Sequence, residues 1–346
     1  MCRLKIKGIK ENFMKNKRKA LIIGIDDYPL KPLEGCVNDA KEVNDLLSRN
    51  EDKSKNFETV FIPNIIQKSQ LKLAISELFK NDDDIALLYF AGHGTYDETD
   101  GYLVTPDGAP AYPGVRFAEI MDIVTNSKCS NKIIILDSCF SGKCGDKSII
   151  GFNSAIGQGV TILSACRTAE TAAETTIKKA DGTYEERGLF TSLFCEALKG
   201  GAADLFGEIT PGSVYAYIDK ALGRWKQRPL FKTNVQEFVS LRTVNPPIAL
   251  TDLQELKQIF VEKNSEYPLD PSYECTNNPS LVPTLVEPYT IEENVKILKL
   301  LQRYERVGLV EPVGEVHMYD AAMKSKSCRL TQLGQYYWSL AKKELF

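Results

Sequence analysis

The chain has 346 residues, enough for about two domains at ~100–200 residues each. Its composition, 43% hydrophobic and 26% charged, is that of a folded globular protein, and a formal net charge of -3 excludes a general affinity for nucleic acid or anionic membrane. Nine cysteines, an odd number without paired metal-ligand spacing, argue for reduced thiols in a cytoplasmic protein rather than a disulfide framework.

The basic start MCRLKIKGIKENFMKNKRKA lacks the apolar core of a signal peptide and reads as a short arm. No apolar run reaches the ~18 residues of a membrane helix, so no membrane contact is expected. Five apolar runs then read as buried strands: Ala20–Ile25, Glu58–Ile62, Ile85–Phe90, Lys132–Leu136 and Val160–Ser164. The third and fourth are almost wholly apolar, as strands covered on both faces are. Helical patterns at Val37–Leu47, Gln67–Phe79 and Phe117–Val124 separate them, which predicts an α/β domain with a mainly parallel sheet and helices on both faces. Amphipathic helices are predicted at Leu189–Leu198 and Ser213–Leu222, and a late strand at Val235–Leu241. The acidic run Asp82-Asp83-Asp84 reads as a solvated turn.

Asn245-Pro246-Pro247 marks a boundary. The expected organisation is a domain over 17–245, a linker with a first helix over 246–290, and a C-terminal module over 291–346. That module carries helix Glu292–Val307, a short strand after Gly308 and helix Thr331–Lys343, and its pieces RVGLVEPV and RLTQLGQYY resemble a winged helix-turn-helix. Residues 246–346 hold 11 Lys/Arg against 14 Asp/Glu, which favours a regulatory protein partner over nucleic acid despite the small cluster Lys324, Lys326 and Arg329. His317 is read as structural, and Ile297, Leu300, Leu301, Tyr304, Leu333, Tyr336 and Tyr337 as core of the module.

Chemistry gathers at two strand ends. IALLYF runs into Ala91-Gly92-His93-Gly94-Thr95, and KIIIL into Asp137-Ser138-Cys139-Phe140-Ser141-Gly142. Ligands bind beyond the carboxyl ends of parallel strands, so both clusters share one edge if both strands share one sheet. A thiol attacks as thiolate, which a nearby imidazole promotes, and acyl transfer needs donors for the oxyanion. A lone cysteine at a strand end is ordinarily a small buried hydrophobe, and a lone histidine between glycines a turn residue. Their joint placement makes Cys139 the candidate nucleophile, His93 its base, and the N–H groups of Gly94 and Cys139 the oxyanion donors.

YFAGHGTY and ILDSCFSG, preceded by LIIGIDDY and GCVNDA, resemble the caspase-like superfamily of cysteine peptidases, and within it metacaspases and the bacterial relatives called orthocaspases. The resemblance covers roughly residues 17–245 and implies a caspase-hemoglobinase-like sheet, an endopeptidase acting on protein or peptide substrates, and no cofactor. SACRTAETAAE, GLFTSLFCEALKGG and RPLFKTN resemble the smaller part of such domains. The pattern Q-A-C-x-G of animal caspases is absent. The resemblance implies cleavage after Arg or Lys, with Asp39 and Asp137 as pocket acids and Cys36 beside them; Ala91 stands where some relatives carry a hydroxyl. Asp39 is equally placed to cap a helix. Self-cleavage is implied within the polar stretch Arg167–Arg187, at Lys178, Lys179 or Arg187, with an ordinary surface loop as the other reading. Asp146 matches one family calcium ligand and Asp107 is a second oxygen donor, but the acidic pair of the family site has no counterpart near Phe117–Asp122, so calcium activation and any other metal are not expected. A caspase-like domain joined to a winged helix is reminiscent of bacterial signalling or defence effectors. Two rivals stand beside the enzyme reading: an inactive scaffold, and a nucleic-acid regulator led by the C-terminal module.

Overall fold

The computed structural model describes residues 18–346 apart from 66, 98–99, 141–155, 166–173, 179–183, 224–228, 237 and 279–285; in the strands that contain them, side chains 139–140, 174–178 and 184–187 also lie outside the description. The chain divides after Asn245 into two compact units.

The first unit runs β1 (Arg18–Gly24), α1 (Cys36–Ser48), β2 (Glu58–Pro63), α2 (Lys68–Leu78), β3 (Ile85–Tyr96), β4 (Gly101–Ala109), β5 (Tyr112–Arg116), α3 (Phe117–Thr125), β6 (Asn131–Phe140), β7 (Val160–Ser164), β8 (Glu174–Lys178), β9 (Tyr184–Gly188), α4 (Leu189–Glu196), β10 (Glu208–Ile209), α5 (Pro211–Leu222), β11 (Leu230–Asn234) and β12 (Arg242–Thr243). The central sheet has the order β11-β7-β6-β3-β1-β2. Neighbours along this order are parallel except β11, which pairs antiparallel with β7; β4 adds antiparallel to β3 and β5 antiparallel to β4 in the same sheet.

Side-chain alternation explains the apolar runs. Leu21, Ile23, Leu88, Phe90, Ile134 and Leu136 face one core with Leu71 and Ile75 of α2 and Phe117 and Ile120 of α3. Ala20, Ile22, Leu87, Tyr89, Ile133 and Ile135 face the other with Val43 and Leu47 of α1, Phe194 of α4 and Ile218 of α5. Each fully buried large side chain contributes about 1.5–3 kcal/mol before the cost of ordering the chain, and both faces of the sheet supply many of them. This is the expected α/β architecture with helices on both faces.

Two expectations change. The late strand is Leu230–Asn234, not Val235–Leu241. Pairing with β7 ends at Asn234, whose side-chain amide donates to the Ile156 carbonyl at 2.8 Å and whose own carbonyl accepts from Gly159 N–H. The acidic turn is not wholly solvated either: Asp83 is buried and pairs at 3.1 Å with Lys19, which is fully buried.

The second unit comprises α6 (Leu250–Ile259), β13 (Glu266–Pro268), α7 (Glu292–Arg306), β14 (Val310–Val313), α8 (Met318–Met323), β15 (Ser327–Leu330) and α9 (Gln332–Lys342), with an antiparallel sheet ordered β13-β15-β14. His317 flanks α8 and is exposed. The expected core stripe is only half right. Leu300, Leu301 and Tyr304 are buried, whereas Leu333 and Tyr336 are exposed. Gly334 turns α9 the other way: a Cβ there would stand 1.9 Å from the Leu309 carbonyl oxygen, so the small face of α9 packs inward. Among the described residues, no helix is long and apolar enough to cross a membrane.

Candidate active site

β3 outruns its neighbour β1. Its pairing with β1 ends at Gly24↔Ala91, with Ile25 N–H donating to the Ala91 carbonyl, and β4 takes over the same edge only at Gly94↔Leu103. Between them the edge is open at Gly92 and His93. Tyr28 fills the gap: its hydroxyl accepts the His93 N–H at 3.0 Å and donates to the Val104 carbonyl at 3.2 Å. Burial pushes the Tyr28 phenol well above its ordinary range, so it stays protonated. The Tyr28 and His93 rings lie against each other at a tilt of 54°, with centroids 4.6 Å apart. Only glycine fits at 92, because a Cβ would stand 2.6 Å from the Tyr28 hydroxyl.

The imidazole is held from its far side. His93 Nε2 lies 2.7 Å from the Lys31 carbonyl oxygen. A carbonyl only accepts, so this contact puts the proton on Nε2 in the neutral ring and leaves Nδ1 as the acceptor.

β6 brings in the cysteine. Its register with β3 is continuous and sets Ala91 opposite Asp137, Gly92 opposite Ser138, His93 opposite Cys139 and Gly94 opposite Phe140. N–H directions alternate along a strand. Since His93 N–H points toward Tyr28, Gly94 N–H points to the β6 edge, the side of Cys139.

The acids converge on the same place. A cleft of about 740 Å³ is lined by His93, Gly94, Cys36, Asp39 and Asp137, with Gly188 at the end of β9. Both carboxylates are buried. Asp39 does not cap α1: Asp26 does, its two carboxylate oxygens accepting Cys36 N–H at 2.8 Å and Val37 N–H at 3.1 Å. Burial raises the Asp26 carboxyl, against those two hydrogen bonds. Asp39 instead accepts the Gly188 N–H at 3.1 Å through one oxygen. Asp137 accepts the Thr191 hydroxyl at 2.6 Å, and Thr191 is in turn 2.6 Å from the Tyr89 hydroxyl. Burial and then the two nearby carboxylates drive the Tyr89 phenol far up, which keeps it a donor.

Sequence reading placed the acids but missed the supports. It singles out none of Tyr28, the Lys31 carbonyl, Asp26 and Thr191, although LIIGIDDY contains Asp26 and Tyr28 and GLFTSLFCEALKGG contains Thr191.

The proposed self-cleavage stretch is not simply a loop. β8 and β9 form an antiparallel hairpin in which Lys178 pairs with Tyr184 and Arg187 with Thr175. Lys178 and Arg187 therefore lie in the paired strands rather than in the connection between them. Lys179 lies outside the described residues, as does Asp146. Asp107 accepts the Lys68 N–H at the start of α2 and the Thr105 hydroxyl. Among the described residues no group of three or more His, Cys, Asp or Glu is arranged to hold a metal.

No curated protein matches the chain by sequence. Solved structures similar to it include caspase-1 from Spodoptera frugiperda, at 13% identity and a TM-score of 0.44, covering 67% of this chain and 92% of that one. The structure described as pro-sf-caspase-1 matches at 15% identity and a TM-score of 0.42, covering 68% and 96% respectively. Residues 17–238, more than half of the chain, match the family model described as Caspase domain. The chain therefore belongs to the caspase domain family of cysteine peptidases.

Proposed function

We propose that this chain is a metacaspase-type cysteine endopeptidase that cleaves after Arg or Lys, with Cys139 as nucleophile and His93 as base. The observation that carries the reading is the backbone register of His93 with Cys139 above a cleft that also holds Asp39 and Asp137.

In the proposed reaction His93 Nδ1 takes the Cys139 thiol proton, and the thiolate attacks the scissile carbonyl carbon. The oxyanion is received by the N–H groups of Gly94 and Cys139, which the β3–β6 register places in the sheet ladder and which substrate must therefore draw out of it. The imidazolium then gives its proton to the departing amine, leaving an acyl-thioester on Cys139. Water, deprotonated by the same imidazole, hydrolyses the thioester and restores the thiol. The Lys31 carbonyl steadies the imidazolium through Nε2. The basic side chain of the substrate enters between Asp39 and Asp137, with Cys36 on the wall; a guanidinium or ammonium is the complement of two carboxylates lining one cleft.

The second unit runs α6-β13-α7-β14-α8-β15-α9 with sheet order β13-β15-β14; the three-stranded antiparallel sheet beside α7 and α9 supports a winged-helix reading, with α8 inserted between the last two strands. Its acidic balance favours a protein partner over nucleic acid, and together the two units suit a regulated signalling or defence peptidase. A salt titration of DNA and RNA binding tests this part; a steep salt-dependent affinity would overturn it.

The decisive experiment compares wild type, Cys139→Ala and His93→Ala on fluorogenic peptides ending in Arg, Lys or Asp. Wild type is expected to turn over the Arg and Lys peptides and both variants to lose that activity. Equal residual rates in all three proteins would leave the scaffold reading, and preference for Asp would overturn the assigned specificity.

A further inference from the structure

A second large cavity, of about 810 Å³, lies at the opposite end of β6 from the cysteine. Lys132 and Cys139 are seven residues apart on one strand, so this cavity is about 23 Å from the candidate nucleophile at ~3.3 Å per residue. Its lining is mostly polar, with Ser127, Ser130, Asn131 and Gln158 around Lys132 and Lys128.

Lys132 is the anomaly. It is only 7% exposed, yet it lines the cavity. Its backbone is fixed: its N–H donates to the Gly159 carbonyl at 2.7 Å, and it pairs with Val160 in the sheet. No carboxylate or hydrogen-bond acceptor holds its ammonium among the described residues. The buried acid of the neighbouring turn, Asp83, is already paired with Lys19. The same end of the sheet thus buries two lysines and supplies a carboxylate for one. The Lys132 stem is buried, but its ammonium, unlike that of Lys19, is not fully shut off from solvent, so the charge is presented to the cavity. That cavity has hydroxyl and amide groups and a second lysine, Lys128, exposed at the rim. Phe238 and Val239 supply an apolar wall.

We infer that this cavity is a binding site for a small oxyanion-bearing molecule, a phosphate ester or a carboxylate, whose charge is received by Lys132. Lysine binds such groups as a point charge, and hydroxyls and amides complete the shell. The site is remote from the peptidase cleft and independent of the reading of that cleft.

Thermal unfolding of the full chain tests the site. Sodium phosphate and sodium acetate are titrated against sodium chloride at matched ionic strength, in wild type, Cys139→Ala and Lys132→Met. Wild type and Cys139→Ala are expected to show the same saturable rise in Tm with one of the two oxyanions. A larger response to phosphate identifies a phosphoryl ligand, and a larger response to acetate a carboxylate. Lys132→Met should lose the response. Indistinguishable curves in the three salts, or a saturable rise that persists in Lys132→Met, would overturn the site. If Lys132→Met does not fold, calorimetric titration of phosphate and acetate into wild type and Lys132→Gln decides: heat that is absent in wild type, or equal in both, overturns it.

Discussion

His93 stands directly opposite Cys139 in the parallel register of β3 and β6, one inter-strand spacing away, which is about 4.8 Å. The pairing runs without a break from Ile85↔Asn131 to Gly94↔Phe140. A slip of one residue would throw Leu87, Leu88, Ile133 and Ile134 onto the wrong faces of the sheet. The hydrophobic core therefore sets the position of the two residues, and the chemistry inherits it.

The side-chain half of that arrangement depends on Tyr28. Gly92→Ala places a methyl group 2.6 Å from the Tyr28 hydroxyl and must displace it from the His93 N–H. Tyr28→Phe removes the same hydroxyl without a clash. Each is expected to lower kcat/KM, by roughly 10-fold or more for Gly92→Ala, since small misplacements of a catalytic group cost up to ~10²-fold. The double variant should lose less than the product of the two, because both act on one hydrogen bond. Multiplicative losses in steady-state kinetics would separate Gly92 from Tyr28.

Thr191 is a positioning residue for the pocket acid. Its hydroxyl is fully buried and donates to Asp137, so Thr191→Val removes that donor at nearly constant volume. The lost hydrogen bond is expected to destabilise the first unit by about 1–3 kcal/mol and, because Asp137 is no longer held in place, to change KM for an Arg peptide with kcat little changed. Thr191→Ser keeps the donor and should restore KM. Equal KM values in the valine and serine variants would show that the hydroxyl does not serve the pocket.

Much of this was legible in the chain. The runs IALLYF and KIIIL declared strands buried on both sides, and their polar continuations declared a shared edge, because a parallel sheet has one carboxyl end. What stayed hidden was long-range and local at once. Tyr28 reaches His93 across 65 positions and Thr191 reaches Asp137 across 54, through single hydroxyls with no periodic signature. β4 and β5 escaped because GYLVTPDGA and YPGVR mix glycine and proline with few apolar residues, and β4 adds on only where β1 has ended. The acidic run misled for a different reason: charge alone says solvent, and only the fully buried Lys19 shows otherwise.

That pair makes its own prediction. Asp83→Asn leaves the Lys19 ammonium without its carboxylate in the sheet interior, where breaking a buried pair costs about 3–5 kcal/mol. Urea unfolding should show the loss for the first unit. Lys19→Met combined with Asp83→Leu should recover most of it, since an apolar pair of similar volume needs no counter-charge. A single variant within 1 kcal/mol of wild type, roughly the worth of an exposed pair, would mean that solvent already screens it.

Alkaline pH should weaken both units through buried thiols. Burial pushes Cys129 up to about 11 and Cys328 up to about 12, the latter aided by Glu305 and Glu266. An unfolded thiol ionises near ~8.5. Above that pH the unfolded chain sheds a proton that the folded chain keeps, so each raised thiol contributes stability that is complete below pH ~8.5 and drains away as pH rises toward its folded value. The slope reaches about 1.4 kcal/mol per pH unit for each thiol. Cys129 belongs to the first unit and Cys328 to the second, so the two effects separate. Urea unfolding at pH 8, 9, 10 and 11 should give a shallower decline of the first unit in Cys129→Ala and of the second in Cys328→Ala, whatever each cavity costs at pH 8. Variant curves parallel to wild type would mean that the thiols ionise in the folded protein at their ordinary pH.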